Sequence, residues 1–438
     1  MQLPEELMGP SVPTNNQSIL PYFNFEIAST PNCNMACTYC FEGEELKSKA
    51  KQKQENIPKI VNKLKELLQD TGFRKEYSGI VLNFWGGEPT INFNWNKDLI
   101  MAIRKESING EPLPIKYFIY TNGYSYTKVT QHLDLFSKQE IEDSTIRIQI
   151  SWDGIEGQRL DHAGKQTLNI IRDNIKKIAK NYPNLNASTK ATIQPEELLK
   201  LSDIWLEFYK LYLELIGYAS KFKVSFSPTL NYVDDYEVTS EYLSKIEKEF
   251  QKTAKLELEF YSKFKDSLFS WFGGNNHKDL LNKRATNCSA GVNIIAMDLD
   301  GNVSPCHGTL YSPLKKQFIE FSDTNWDDVK FVEKVQQQRA KLKPELNRFN
   351  PSCVGCEATV CYKCPIVNVE QAVKNYPLDP PNPPNPPNPS ITDSKKPSIE
   401  PNRILINFQN RDPRHCSIYK TFGPIDRAFV NIKAQKNI

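Results

Sequence analysis

The feature that most constrains this chain is the grouping of its cysteines. All ten fall into two groups, and none lies between Cys40 and Cys288. A cysteine that serves as a small buried hydrophobe has no reason to cluster, whereas thiolates that share one inorganic core must lie close together. The first group is Cys33, Cys37 and Cys40, and the second is Cys288, Cys306, Cys353, Cys356, Cys361, Cys364 and Cys416. Three thiolates would leave one iron of a four-iron cluster without a protein ligand, which predicts redox chemistry at an open iron site.

Length and composition exclude several classes of protein. With 438 residues the chain can form one large domain and a smaller one. No run approaches the roughly 18 apolar residues of a membrane span, and the N-terminus lacks the basic start and apolar core of a signal peptide. We therefore expect a cytoplasmic protein, in which closely spaced cysteines favour metal over disulfides. A net charge of +3 is too small to indicate nucleic-acid binding.

Strand-like and helix-like segments alternate from residue 23 to about residue 273. Six such units in series predict an α/β fold with a parallel sheet and right-handed crossovers, closed or partly closed as a barrel. The predicted strands are 23–28, 79–85, 115–120, 145–152, 187–193 and 223–230. The predicted helices are 57–68, 97–105, 128–138, 167–180, one that ends near 217, and 239–270. In such barrels the chemistry lies on loops at the C-terminal ends of the strands.

We divide the chain into an N-terminal extension (1–22), the barrel (23–275) and a cysteine-rich block (276–438). The last contains a Pro/Asn-rich insert at 378–399, whose Pro-Pro-Asn repeats predict an extended, solvated spacer. Within the block, Gly291–Cys306 is typical of a β-hairpin with an Asp-Gly turn. This hairpin would hold Cys306 and His307 at its end.

Motifs follow the first four predicted strands. The three cysteines follow the first, Gly86-Gly87-Glu88-Pro89 the second and Thr121–Gly123 the third, while Ser151–Gly154 ends the fourth. The paired glycines would let the backbone approach a ligand closely, although by themselves they would indicate only an ordinary loop. Thr121–Gly123 and Asp153-Gly154 favour simple turns.

The first cysteine motif, Cys-x3-Cys-x2-Cys with Tyr39 and Phe41 beside its third cysteine, resembles that of the radical S-adenosylmethionine (radical SAM) superfamily. With the Gly86–Pro89 motif and the six βα units, the resemblance extends over essentially the whole chain. It implies a partial (β/α)6 TIM-like barrel that holds a [4Fe–4S] cluster on Cys33, Cys37 and Cys40. It also implies that the open iron binds SAM, which is cleaved to a 5′-deoxyadenosyl radical that abstracts hydrogen from a substrate.

The resemblance also implies contacts to SAM from particular residues. The Gly86–Pro89 backbone, with the side chain of Glu88, would meet the SAM ammonium, and Ser151 would reach the ribose or carboxylate. A basic side chain should bind the carboxylate, and the sequence does not decide between Arg172 and Arg159. The expected SAM-binding set is Tyr39, Phe41, Gly86, Gly87, Glu88, Pro89, Ser151 and Arg172.

The second cysteine group resembles the SPASM extension, which carries two auxiliary [4Fe–4S] clusters. By position, Cys288, Cys306 and Cys364 would hold the first with one iron open. The second cluster would have a protein ligand on every iron, from Cys353, Cys356, Cys361 and Cys416. Two gaps are one residue shorter than in the family pattern, and the Pro/Asn insert lengthens the last gap. The alternative is a zinc site on the two Cys-x2-Cys pairs, Cys353/Cys356 and Cys361/Cys364, which would leave Cys288, Cys306 and Cys416 unexplained.

The resemblance to SPASM enzymes predicts a maturase of a ribosomally made peptide that installs a thioether, carbon–carbon or ether crosslink or a similar oxidative change. The expected partners are the precursor peptide and a one-electron reductant such as flavodoxin or ferredoxin. A separate leader-binding protein is the further partner that the resemblance allows. One alternative is a sulfatase-type maturase that forms formylglycine. Against it stand His307 in place of that family's aspartate base and seven auxiliary cysteines instead of eight. Another is a non-catalytic iron–sulfur electron-transfer protein.

His307 directly follows Cys306. The related sulfatase maturases place their base at this position, and histidine titrates near neutral pH. His307 is therefore the candidate catalytic residue, which would take a proton from the substrate or hold one of its groups. The alternative is a histidine that bonds a cluster sulfur or a backbone carbonyl.

Overall fold

The computed structural model describes residues 20–40, 50–219, 221–226, 229–230, 237–270, 290–310, 324–346 and 413–435. Its centre is an eight-stranded sheet with the order β12-β11-β1-β2-β5-β6-β7-β9. The strands, in chain order, are β1 (Tyr22–Thr30), β2 (Gly79–Gly86), β3 (Ser107–Ile108), β4 (Glu111–Pro112), β5 (Ile115–Thr121), β6 (Ile146–Ser151), β7 (Asn186–Lys190), β8 (Thr192–Ile193), β9 (Phe222–Lys223), β10 (Thr229–Leu230), β11 (Ile294–Met297) and β12 (Val303–Ser304). Strands β8 and β10, and strands β3 and β4, form separate two-stranded sheets.

Helices connect and cover these strands. They are α1 (Ile57–Gln69), α2 (Thr71–Glu76), α3 (Phe93–Arg104), α4 (Tyr126–Leu133), α5 (Lys138–Glu142), α6 (Leu168–Asn181), α7 (Leu201–Leu215), α8 (Ser240–Phe264), α9 (His307–Leu310), α10 (Phe331–Leu346) and α11 (Pro413–Gln435). Short 3-10 helices span Gln54–Asn56, Pro89–Asn92 and Pro195–Lys200. None of the described helices is long and apolar enough to cross a membrane.

The parallel α/β fold predicted from the sequence is confirmed. The six barrel strands follow one another in chain order and pair in parallel, from β1 to β9. Because the order never reverses and crossovers are right-handed, the connecting helices all lie on one face. Among the described strands, the edge strands β9 and β12 do not pair with each other, so the sheet is an open, partial barrel.

Several predicted boundaries differ from the structure. The predicted helix 128–138 divides into α4 and α5, because Ser137 and Glu140 form a capping box that starts a new helix. Helix α8 ends at Phe264 rather than near 270, because Lys265 adopts a left-handed conformation (φ 55°). The sixth predicted strand shortens to Phe222–Lys223, and its later part, Thr229–Leu230, pairs with β8 instead.

Side chains alternate between the two faces of the barrel strands. The isoleucines of β6 pack in the main core under the helices, as do Tyr117 and Ile119 of β5. The opposite face, which we call the inner face, carries a second apolar cluster of Ala28, Trp85 and Ala296 with Tyr120 and Leu299 packed against it. It also carries the half-buried polar residues Arg147, Gln149, Ser151, Asn186, Ser188 and Lys190.

The hairpin predicted at Gly291–Cys306 is present as β11 and β12, which pair antiparallel. Its turn is held by the Asp298 carboxylate, which accepts hydrogen bonds from the backbone N–H groups of Asp300 and Asn302. Gly301 has a φ of +82° there. Strand β11 also pairs in parallel with β1, which the sequence did not indicate, so the hairpin extends the barrel sheet. Phe41, the Pro/Asn insert, Cys288, Cys353, Cys356, Cys361, Cys364 and the side chain of Cys416 lie outside the described residues.

Candidate functional site

The cysteine loop after β1 lies directly against the glycine turn after β2. The N–H of Gly87 donates to the carbonyl of Thr30 and that of Glu88 to the carbonyl of Asn32, both at 2.9 Å. A Cβ on Gly86, whose φ is +137°, would lie 2.1 Å from the Thr30 carbonyl oxygen. A Cβ on Gly87 would lie 2.2 Å from that of Pro31. The glycines therefore allow a close approach, as predicted, but the partner that the structure shows is the cysteine loop itself.

Glu88 connects this turn to the loop after β5. Its buried Oε1 accepts hydrogen bonds from Thr90 and from the Thr121 hydroxyl (2.8 Å), and its Oε2 accepts one from the N–H of Asn122 (2.7 Å). Burial raises the pKa of the Glu88 carboxyl, and these donors oppose the shift. The side chain expected to meet the SAM ammonium thus fastens two loops at the C-terminal edge of the sheet. Thr121 and Asn122, interpreted as part of a simple turn, belong to the site.

The cysteine loop brings its three thiols within electrostatic range of one another. Cys33, Cys37 and Cys40 form no disulfide bond and are half-buried. Burial raises the pKa of Cys33 to about 12, with smaller contributions in the same direction from Glu88, Cys37 and Cys40. Burial also raises the pKa of Cys37, against the opposing effect of Arg159. Iron binding would therefore have to displace protons from these thiols.

Two donors lie close to the sulfur atoms. Asn122 Nδ2 lies 3.6 Å from Cys33 Sγ, and Arg159 Nη1 lies 3.9 Å from Cys37 Sγ. Donors aimed at sulfur stabilise the thiolate form that a cluster requires. Among the described residues, no three His, Cys, Asp or Glu side chains stand close enough to chelate a single ion. The donor set fits a four-iron cluster, in which each thiolate binds a different iron.

A buried network supports the loop from the β6 side. Asp153 Oδ2 pairs with Arg159 Nε at 2.9 Å and accepts a hydrogen bond from the Tyr39 hydroxyl at 2.7 Å. The other oxygen, Oδ1, accepts from the N–H of Thr192. Burial alone would lower the pKa of Arg159, but Asp153 and Tyr39 raise it above its ordinary range, so the guanidinium stays charged. Asp153 is thus more than the turn residue that the sequence indicated.

The structure distinguishes the two arginines that the sequence left open. Arg172 lies on α6 in the outer helical layer, where it contacts Glu207 at 3.3 Å and Glu214 at 2.7 Å on α7. Arg159 lies beside Cys37 and over the Tyr39 ring, 5.5 Å from its centroid. Because the Arg172 guanidinium is held by α7 carboxylates, these contacts favour Arg159 of the two candidates.

Ser151 lies where expected, half-buried at the C-terminal end of β6. Its neighbour in the sheet is Lys190, the last residue of β7. Burial lowers the pKa of Lys190 to about 8. Lys190 is not among the predicted site residues, because it falls in the middle of the predicted strand 187–193, whereas the strand in the structure ends at this lysine.

His307 lies on the inner face and is held by Glu26 of β1. The Glu26 carboxylate contacts His307 Nδ1 at 2.9 and 3.0 Å and accepts a hydrogen bond from the His307 backbone N–H at 2.9 Å. The imidazole also lies 5.0 Å from the Trp85 ring and 6.3 Å from the Tyr120 ring. The Glu26 carboxylate is thus a partner of this ring that the sequence did not indicate. Glu26 is not among the predicted site residues, although a glutamate in the strand-like run Phe-Asn-Phe-Glu-Ile-Ala is unusual enough to mark it.

Comparisons with known proteins agree with this geometry. Residues 27–198 match the sequence profile of the Radical SAM superfamily. Among solved structures, anSMEcpe with bound AdoMet has 17% identity and a TM-score of 0.61, over 95% of this chain and 96% of that one. The structure of anSMEcpe with AdoMet and the Cp18Cys peptide has 18% identity and a TM-score of 0.60, over 95% of this chain and 100% of that one. Streptococcus suis SuiB bound to the precursor peptide SuiA has 13% identity and a TM-score of 0.50, over 80% of this chain and 73% of that one.

No curated protein matches the chain. At such low identities the solved structures establish the fold, while the profile match covers the cysteine loop, the glycine turn, and the ends of β5 and β6. Residues 27–198 of this chain therefore form a domain of the radical SAM superfamily.

Proposed function

We propose that the chain is a radical SAM enzyme of the SPASM type that abstracts hydrogen from a ribosomally made peptide. The product would carry a thioether, carbon–carbon or ether crosslink, or a similar oxidative change. The observation that carries the proposal is the convergence of the cysteine loop and glycine turn on a sheet whose inner face holds a histidine–carboxylate pair. Two solved structures of similar fold contain peptides, Cp18Cys with anSMEcpe and SuiA with SuiB, which supports a peptide substrate.

In this proposal Cys33, Cys37 and Cys40 hold the cluster that binds SAM. When bound, the [4Fe–4S] cluster would supply the electron that cleaves SAM to methionine and a 5′-deoxyadenosyl radical. Asn122 and Arg159 stabilise the thiolates through their N–H groups. The network of Asp153, Arg159 and Tyr39 fixes the position of the loop.

The chain's own groups would orient SAM. The backbone at Gly86–Pro89 lies beside the cysteine loop and offers groups to the ammonium. Ser151 serves the ribose or carboxylate, and Arg159 replaces Arg172 as the basic residue for the carboxylate because it lies beside Cys37. Tyr39 acts through Asp153 and the face of its ring, over which Arg159 lies. Phe41 remains a candidate for the same site.

His307 would act as the base on the inner face. With Nδ1–H held by the Glu26 carboxylate, the neutral ring has its lone pair at Nε2, where it can accept a proton from the substrate. A base oriented by a third group is a recurrent arrangement in enzymes that transfer protons. An oxidative crosslink removes two hydrogens: one leaves as an atom to the 5′-deoxyadenosyl radical, and the other leaves as a proton, which the base would accept, while its electron would pass to an auxiliary cluster.

The auxiliary cofactors are part of the proposal. Cys288, Cys306 and Cys364 would hold one [4Fe–4S] cluster, and Cys353, Cys356, Cys361 and Cys416 another, which gives three clusters in all. Zinc on Cys353, Cys356, Cys361 and Cys364 is the alternative. The reductant would be flavodoxin or ferredoxin, and a separate protein could bind the leader of the precursor peptide.

Coexpression of the chain with each short open reading frame beside its gene tests the proposal. We expect one peptide to lose two hydrogens, with a crosslink that suppresses fragmentation between the joined residues in tandem mass spectrometry. Formylglycine would instead give an aldehyde that reacts with a hydrazide probe, which would establish the sulfatase-type alternative. A chain that leaves all peptides unmodified and forms no 5′-deoxyadenosine under reduction would be an electron-transfer protein, contrary to the proposal.

A further inference from the structure

Arg147 presents an unusual cation on the inner face of the barrel. It is the second residue of β6, and its guanidinium lies over the Phe118 ring, 5.3 Å from the centroid. Its Nε is buried and, within the described part of the chain, has no hydrogen-bond partner. A buried polar group without a partner is destabilising, so such an atom indicates a site that an absent acceptor completes.

The described strands place more cationic than anionic side chains on the inner face. On the inner-face positions of the described barrel strands, Glu26 is the one carboxylate, and it is engaged by His307. The cations on the same positions are Lys116, Arg147, Lys190 and Lys223. The inner face therefore carries an excess of positive charge, which favours a negatively charged ligand.

Arg147 and the His307–Glu26 pair belong to the same part of this face. Phe118, over which Arg147 lies, contacts the Tyr120 ring at 4.6 Å, and Tyr120 in turn lies 6.3 Å from the His307 ring. The pKa of the Tyr120 hydroxyl is raised by burial and then by Glu26, and it is lowered by Arg147, so both charges act on one hydroxyl. A ligand held by Arg147 would lie near the base.

We propose that Arg147 binds a carboxylate of the peptide substrate, next to the residue on which His307 acts. The inference rests on the function proposed above and adds a substrate class, peptides with a carboxylate close to the modified position. A guanidinium binds a carboxylate through two parallel N–H···O bonds, which fixes orientation as well as charge. Arg147 would thereby fix how deep the peptide enters and which bond faces the radical.

The position along β6 separates this site from that of SAM. Arg147 precedes Ser151 by four residues, which corresponds to about 13 Å along a strand. Ser151 lies at the C-terminal edge with the cysteine loop, whereas Arg147 lies toward the opposite end of the strand. The carboxylate of SAM belongs at the edge, and the carboxylate for Arg147 must come from a second molecule.

Ligand-observed NMR titration of the full chain, reconstituted with iron and sulfide and with SAM present, tests this inference without turnover. The probes are N-acetyl-aspartate N-methylamide, which has a side-chain carboxylate, and N-acetylglycine, which has a terminal one. N-acetyl-asparagine N-methylamide is the uncharged match. We expect at least one carboxylate probe to bind about tenfold or more tightly than the asparagine probe, as a charge-assisted contact provides.

Three variants test whether the preference for a carboxylate probe depends on Arg147. Arg147→Gln should abolish it, and Arg147→Lys should retain part of it, because lysine keeps the charge and loses the planar fork. Arg104→Gln is the matched control, since Arg104 also stacks on a ring, that of Phe136 at 4.7 Å, but lies in the outer layer beside Glu140. That variant should keep the full preference.

Three results would overturn the inference: no preference of the wild-type chain for a carboxylate probe, a preference that survives in Arg147→Gln, or loss of SAM binding in that variant. A preference for the aspartate probe would assign the site to an acidic side chain, and one for N-acetylglycine to the end of a peptide. Formation of 5′-deoxyadenosine, measured separately, keeps a failure of this inference distinct from a failure of the proposed function.

Discussion

Nδ1 of His307 lies 2.9 Å from Oε2 of Glu26, although 281 residues separate the two in the chain. Glu26 is buried in the middle of β1, with 2% of its surface exposed, and His307 follows the β11–β12 hairpin. The parallel pairing of β11 with β1 brings them together, with Glu26 opposite Ala296. The histidine of this pair thus comes from the segment after the hairpin, and the carboxylate that it contacts comes from strand β1 of the barrel.

Replacement of His307 should separate SAM cleavage from formation of the peptide product. We expect His307→Ala to keep SAM cleavage, because the cysteine loop and glycine turn are untouched, and to reduce peptide product by about 100-fold or more, the usual contribution of a positioned base. The measurement compares 5′-deoxyadenosine with modified peptide in the same reaction.

Two variants serve as controls for that experiment. Tyr120→Phe removes a neighbouring hydroxyl without removing the base, so product should persist. Glu26→Gln keeps the shape but loses the charge that orients the ring, so product should fall while SAM cleavage remains. Product formation at the parental rate by His307→Ala would show that the histidine is structural.

A methyl group on Gly87 should disturb the site. Gly87→Ala would place its Cβ 2.2 Å from the Pro31 carbonyl oxygen and 2.5 Å from that of Asn32. We expect weaker SAM binding and a loss of about 1–3 kcal/mol in the free energy of unfolding, the usual cost of overpacking. Urea unfolding measures the latter. Gly217→Ala is the control, because nothing lies within 4 Å of its added Cβ; equal behaviour of the two variants would contradict the close approach.

His132 should make stability sensitive to acid. Its Nδ1 donates to the Lys128 carbonyl at 2.8 Å and its Nε2 accepts from Asn96 Nδ2 at 3.0 Å, an amide that also donates to the Pro89 carbonyl. Burial lowers the pKa of His132 from 6.5 to about 4. Below pH 6.5 this imidazole is protonated in the unfolded chain but stays neutral in the folded chain. The free energy of unfolding therefore falls between pH 6.5 and about 4.

Through His132, acid lowers the free energy of unfolding by at most about 3 kcal/mol, and this decrease is absent above pH 6.5. Urea titrations at pH 7 and pH 5 measure it, and His132→Gln should flatten the difference between them. An unchanged pH dependence in that variant would assign the acid sensitivity to other groups.

Local patterns in the sequence predicted most of the sheet and the loops that carry the site. Period-2 alternation in β5 and β6 and helical spacing in α1 and α6 depend on neighbours in the chain, so they are visible without the structure. The cysteine loop and glycine turn were recognisable for the same reason. Helix boundaries were less accurate, because the Ser137 capping box and the left-handed Lys265 act on single residues.

Contacts between distant residues could not be predicted in this way. Arg172 and Arg159 are equivalent in the sequence, and only the packing of α6 on α7 assigns Arg172 to Glu207 and Glu214. The ion pair of Asp153 with Arg159, and that of Glu26 with His307, likewise depend on how strands and loops meet. Each residue was visible as a polar side chain, but its partner was not.

Metal content distinguishes the two interpretations of the second cysteine group. Anaerobically reconstituted protein should hold about twelve irons in three four-iron clusters. Iron and zinc are measured together by mass spectrometry of the digested protein. About four irons with one zinc would show that the C-terminal cysteines form a structural zinc site.

The most direct test of the account is the yield of 5′-deoxyadenosine after reduction with dithionite in the presence of SAM. The wild-type chain should form it, and a chain with Cys33, Cys37 and Cys40 all replaced by alanine should form none while keeping about eight irons on its auxiliary cysteines. The retained iron is the control for folding. A normal yield from the triple variant, or no yield from the wild-type chain, would contradict the claim that this loop is the centre of SAM chemistry.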